Sequence, residues 1–169
     1  MTQDQRRVAI GAISGVLFIG VSVWLLQKIL PVPAVATTGD KLGYAARWCM
    51  LPALLFFLMI VAVGNARFFS EAIDPTLGTE SQRMIVDGRV ADNATQQLLI
   101  FVIAAIGLSA SLSAQQLPVI GAAAITFVIV RAAFWIGYRI RPAYRAFGFA
   151  GTAYLNLGLV LSGLYLAVR

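Results

Sequence analysis

Five stretches of this chain are long and apolar enough to cross a lipid bilayer as helices, which takes about 20 residues each. They are 8–27 (VAIGAISGVLFIGVSVWLLQ), 48–66 (WCMLPALLFFLMIVAVGNA), 94–113, 117–138 and 146–168. Within hydrocarbon every backbone N–H and C=O must find its partner inside the protein, so such segments become helices. The expectation is an all-α integral membrane protein. Composition agrees: 60% of the 169 residues are hydrophobic and 12% are charged, against about half and about a quarter in soluble domains.

The chain has no histidine and one cysteine. No intrachain disulfide can form, zinc or haem sites built on His and Cys clusters are excluded, and no metal is expected. Ser-His-Asp and Cys-His catalytic pairs are excluded for the same reason. Cys49, inside WCMLPALLFF, reads as a packing residue. The net charge of +6 comes without a basic stripe, so no nucleic-acid partner is implied. The basic residues instead cluster at the ends of apolar runs, as membrane proteins place them.

One long polar loop, RFFSEAIDPTLGTESQRMIVDGRVAD, separates the second and third runs, and a tight hairpin around SAQQLP joins the third and fourth. The first run follows Arg6 and Arg7 and precedes an Ala34-Val35-Ala36 site, which would suit a signal peptide. Its apolar core exceeds the usual length of about 7–15 residues, which favours a retained helix. Orientation follows the Lys and Arg of short flanks. With a cytoplasmic N-terminus the inner flanks hold Arg6, Arg7, Arg67, Arg83, Arg89, Arg139, Arg141 and Arg145. The outer flanks hold Lys28, Lys41, Arg47 and Arg169, so the count is eight against four. The N-terminus is expected inside and the C-terminus in the periplasm.

That topology brings two polar helix faces to one membrane surface. In RVADNATQQ, Arg89, Asn93 and Gln96 are four and three residues apart and share a face. In the fourth run Arg131, Phe134 and Tyr138 are three and four apart and share another. Arg131 lies about 10 Å inside the end marked by Tyr138. An arginine at that depth is costly and needs a partner or a polar ligand. Simpler readings stand beside this one. Asn93 and Gln96 could form a capping box, leaving Arg89 in a loop, and Asn93-Ala-Thr is also a glycosylation acceptor pattern. Arg139, Arg141 and Arg145 could be cytoplasmic anchors, and Arg131 could snorkel or bond to another helix. Together the two faces make a cationic, hydrogen-bonding pocket. Guanidinium forks suit carboxylates, so a small anionic ligand is the natural guest, and such a pocket would also stabilise a thiolate.

At these residues the chain resembles the family of membrane-associated proteins in eicosanoid and glutathione metabolism (MAPEG), which includes the microsomal glutathione transferases. The family pattern R-x-x-x-N-x-x-E is matched by Arg89, Asn93 and Gln96, and R-x-x-Y-x-x-x-Y by Arg131, Phe134 and Tyr138. R-x-P-x-x-R then supplies Arg141 and Arg145, and the A-R pair that ends the family's first helix is matched by Ala66-Arg67. The resemblance covers about 46–168. It implies a domain at 46–169 built as a four-helix transmembrane bundle, with 1–45 as an extra N-terminal helix and linker. It further implies a homotrimer that binds glutathione, as co-substrate, between subunits at the cytoplasmic side. By that carry-over Arg67, Arg89, Asn93, Gln96, Arg131, Phe134 and Tyr138 hold the tripeptide. Arg145 stabilises its thiolate, with Arg141 as the second candidate.

Three departures qualify the likeness. Gln96 stands where the family has a carboxylate, which turns a charge-assisted bond into a neutral one about half as strong. Phe134 replaces a tyrosine and removes a hydroxyl, and the first helix has no counterpart. The expected function is a glutathione transferase or peroxidase acting on a lipophilic electrophile or peroxide that enters from the bilayer. A bacterial inner membrane is the setting that the length and simple loops suggest. The alternative is a non-catalytic lipid-binding or scaffold protein. A small anion transporter is a third reading, with nothing like broken-helix repeats to support it.

Overall fold

A computed structural model describes residues 1–168. Five helices follow one another: α1 (Gln3–Ile29), α2 (Thr38–Phe68), α3 (Gln82–Ser111), α4 (Pro118–Ile140) and α5 (Ala146–Ala167). Single 3₁₀ turns stand at Pro75–Leu77 and Pro142–Arg145. Among the described residues all regular structure is helical, and each of the five long helices has the length and hydropathy to cross a membrane. Arg169, used above in the orientation count, lies outside the described residues.

The helices overrun their apolar runs because side chains, rather than hydropathy, set their ends. Thr2 and Thr37 each form a capping box, with Gln5 and Asp40 respectively. Those paired bonds satisfy N–H groups that a helix start leaves orphaned. The start of α3 is fixed by Ser81, whose Oγ accepts from the Met84 N–H. This places Asn93 three turns inside the helix and corrects the capping-box reading: Arg89 is helical, and its one-face relation to Asn93 holds. Pro118 opens α4 and Pro142 follows its end, as the missing N–H of proline requires.

At the centre of the bundle, α4 packs on all four other helices, and twelve of its residues are buried, from Pro118 to Tyr138. Beside it, α2 lies against α3, while α5 lies against α3 and α4. The extra helix α1 packs on α5 and α4. Two close approaches fix these seams. A Cβ at Gly15 would collide with the Phe147 carbonyl oxygen of α5, and one at Gly148 with the Val130 carbonyl oxygen and the Phe134 N–H of α4. Small residues of this kind let membrane helices touch backbone to backbone, where apolar burial alone offers no drive. Polar ties add to them: Ser22 and Thr126 hydroxyls bond at 2.8 Å between α1 and α4, and Asn156 Nδ2 of α5 donates to Gln97 O and Oε1 of α3, each at 2.9 Å.

The turn between α4 and α5 meets the start of α1 where Arg141 Nη2 donates to Asp4 Oδ1 at 3.0 Å. The start of α3 meets the end of α4 through Asp87 and Arg139. Hence the N-terminus, the α2–α3 loop and the α4–α5 turn share one end of the bundle.

Candidate functional site

At that end, six side chains from three helices and a turn enclose a cavity of about 310 Å³. Arg89 and Asn93 come from α3, one turn apart. Phe134 and Tyr138 come from α4, Arg145 from the 3₁₀ turn and Phe149 from α5. The volume falls at the lower end of the range for small-molecule sites. Arg145 holds its guanidinium over the Tyr138 ring, 4.7 Å from the centroid. Phe134 packs against both Tyr138 (5.9 Å between centroids) and Phe149 (6.4 Å). No carboxylate lines the cavity among the described residues, so its two arginines set a positive potential.

Arg131 stands one layer behind this wall. It is 1% exposed, and its Nη1 donates to Asn93 Oδ1 at 2.8 Å. Its guanidinium also lies over the Phe134 ring at 4.6 Å. Its Nε and Nη2 are buried with no hydrogen-bond partner among the described residues. A buried cation with unspent donors is expensive unless a ligand or water completes it. Because Asn93 gives its oxygen to Arg131, it has its amide N–H groups left for a guest.

Five of the nine residues singled out in the sequence therefore line one cavity: Arg89, Asn93, Phe134, Tyr138 and Arg145. A sixth, Arg131, supports it from behind. The other three lie elsewhere. Gln96 is exposed on α3 and outside the wall. Arg67 is bound to Glu80 at 2.7 Å, and Arg141 is spent on Asp4.

Sequence reasoning missed Phe149, which carries no polar signal. It also missed the strut that holds the two polar faces together. Asp87, 3% exposed, accepts from Trp135 Nε1 at 2.8 Å and from Arg139 Nε and Nη2, both at 2.7 Å. That bidentate pair locks α3 to α4 one turn from the cavity. The signal was available, since an acid near the start of α3 and an arginine near the end of α4 must meet if the two helices are antiparallel neighbours. A larger cavity, about 690 Å³ between α1, α5 and the α3–α4 hairpin, has no charged side chain in its lining among the described residues.

Arginines from two antiparallel helices and the following turn, around an aromatic floor, suit an anionic ligand of a few hundred daltons. The sequence of residues 45–165, which supplies all of these side chains, matches the model of the MAPEG family. The chain belongs to the MAPEG family. MAPEG proteins are membrane proteins of glutathione and eicosanoid metabolism, and the match spans every residue of the cavity while leaving α1 outside it. Comparison with characterised proteins and with solved structures returned no match.

Proposed function

We propose that this MAPEG protein is a glutathione transferase or peroxidase. The observation that carries this reading is the unspent Nε and Nη2 of Arg131 behind a cavity lined by Arg89 and Arg145. Glutathione has two carboxylates to occupy arginines and a thiol that a third can hold as thiolate. Arg89, Asn93, Arg131 and Tyr138 bind the tripeptide, Phe134 packs against it, and Arg145 stabilises the thiolate. Arg145 is preferred to Arg141 for that role because Asp4 already occupies Arg141. With an epoxide acceptor, the thiol first releases its proton to water, the thiolate sulfur forms a bond to carbon, the C–O bond breaks, and the alkoxide takes a proton back from water. The protein contributes orientation and charge, with no covalent intermediate of its own.

A homotrimer fits this reading. Arg67 and Gln96 stand outside the cavity of one chain and reach a glutathione only across a subunit boundary. Along α3, Arg89, Asp92, Gln96, Leu99 and Ile103 are all exposed, at alternating spacings of three and four. That is the spacing of a helix–helix seam. The positive-inside count supports an orientation with this end of the bundle in the cytoplasm.

Calorimetry of glutathione with the detergent-purified protein, beside Arg131→Ala, is the direct test. Saturable binding that is lost in the variant supports the transferase. Absence of binding to an intact wild-type oligomer overturns it. A second reading, a non-catalytic lipid-binding or scaffold protein, draws on the neutral Gln96 and the hydroxyl-free Phe134. Gln96→Glu separates the two: glutathione affinity restored by the carboxylate marks a retuned transferase site, and none gained favours the lipid-binding or scaffold protein.

A further inference from the structure

Arg145 and Phe149 line a second groove as well as the cationic cavity, and α1 supplies its other wall. The groove, about 460 Å³, runs beside the α1–α5 seam between Val8 and Ala12 on one side and Ala146 and Ala150 on the other. Both pairs are four residues apart, so each presents one stripe of its helix along the groove. Three of these four residues are alanine, and the space is theirs to leave. The seam beside it is closed: a Cβ at Gly11 would lie 3.2 Å from the Ala146 Cβ. Toward the water the groove ends at Asp4, which is bound to Arg7 at 3.1 Å and to Arg141 at 3.0 Å. From Asp4 to Ala12 is about 12 Å along the helix.

Three arginines against one carboxylate (Arg7, Arg141 and Arg145 against Asp4) make the polar end of the groove positive. The rest of the groove is apolar, and Val8 on its α1 side is 44% exposed. We propose that this groove seats a single-chain oxygenated lipid, with its electrophilic carbon at Arg145 and its tail along Val8, Ala12 and Ala150. The helix that lies outside the family match is then the one that selects the acceptor. Phe149, 46% exposed, stands between the two guests as their shared wall. The assignment deepens the transferase reading, and rests on it for the bond that is made. Occupancy of the groove is a separate matter of shape and charge.

The test uses the full chain in lipid nanodiscs and a straight-chain terminal epoxide that carries a photoactivatable diazirine in its tail. Illumination followed by peptide mass spectrometry is expected to place the label at residues 8–12 and 146–150. An excess of unlabelled epoxide should displace it. Val8→Trp, at a half-exposed position the fold can accommodate, should cut displaceable labelling about tenfold, equivalent to losing roughly two buried methylene contacts. Ala12→Trp should do the same, and Ala150→Leu serves where Ala12→Trp is poorly folded. Label that spreads over lipid-facing positions such as Leu54 and Phe57 without displacement overturns the assignment, as does labelling indifferent to Val8→Trp. Glutathione calorimetry on the same samples separates the two ideas. Displaceable labelling without glutathione binding sinks the transferase and keeps the groove, whereas binding with unsaturable labelling does the reverse.

Discussion

Arg131 and Asn93 form a pair whose two members are worth different amounts. Replacing Arg131 by Met removes a buried charge with unspent donors, and the hydrocarbon core accepts the thioether in its place. Its thermal stability in detergent should stay within about 1 kcal/mol of the wild type, because the loss of one hydrogen bond is offset by the desolvation no longer required. Glutathione binding should vanish. Asn93→Ala does the opposite: it leaves the guanidinium buried with no acceptor among the described residues. It should cost about 1.5–3 kcal/mol, the worth of a hydrogen bond to a charged group. Thermal melts of the two variants side by side check the order, and the reverse order would show that Arg131 is held by something other than Asn93. Arg145 belongs to a different class. It is exposed on a turn and rests on Tyr138, so Arg145→Ala should leave the melt unchanged. In steady-state assays with a lipophilic epoxide it should lower kcat more than glutathione affinity. Equal losses would make it a ligand-binding residue only.

Among the helices, the strut between α3 and α4 carries an asymmetry of the same kind. Arg139 is 29% exposed at its side chain and Asp87 is 3% exposed. Asp87→Ala therefore frees an arginine that can turn to water, at about 1–3 kcal/mol. Arg139→Ala strands a buried carboxylate with the Trp135 N–H as its remaining donor, and should cost about 3–5 kcal/mol. Chemical or thermal unfolding of both variants decides, and a larger loss for Asp87→Ala would contradict the burial argument. Gly148→Ala tests the other seam. The new methyl group meets the backbone of α4 at Val130 and Phe134, so the two helices must part. Overpacking of this kind costs about 1–3 kcal/mol, and because Phe134 and Phe149 line the cavity, glutathione binding should weaken with it. The five helices were legible in the sequence because hydrocarbon admits little else of that length. Their ends were not, since Asp40, Arg83 and Asp87 continue helices past the apolar runs under the control of caps at Thr37 and Ser81. Spacing found the face of Arg89 and Asn93 and that of Arg131 and Tyr138. It could not find what depends on how helices meet: Asp87 with Arg139, Asn156 with Gln97, and Arg131 behind Asn93 rather than in the wall.

For the molecule as a whole, one stripe of α3 is out of place in a single chain. Arg89, Asp92 and Gln96 are exposed there, and Leu99 and Ile103 continue the stripe at 61% and 64% exposure. Of these, Gln96 lies inside the apolar run, where a polar side chain faces protein or water far more often than lipid. The stripe is accordingly expected to bury itself against α3 of other copies, with van der Waals contact at Leu99 and Ile103 and hydrogen bonds at Gln96. Leu99→Ala combined with Ile103→Ala removes those contacts and leaves the interior of the single chain untouched. Native mass spectrometry should then show trimer giving way to monomer, with glutathione binding lost in parallel, as the proposed site between subunits requires. Leu54→Ala on α2, 56% exposed and away from that stripe, should leave both unchanged. A double variant that stays trimeric would move the seam to another helix. A variant that dissociates yet binds glutathione at full affinity would show that one chain holds the whole site, with Arg67 and Gln96 taking no part in it.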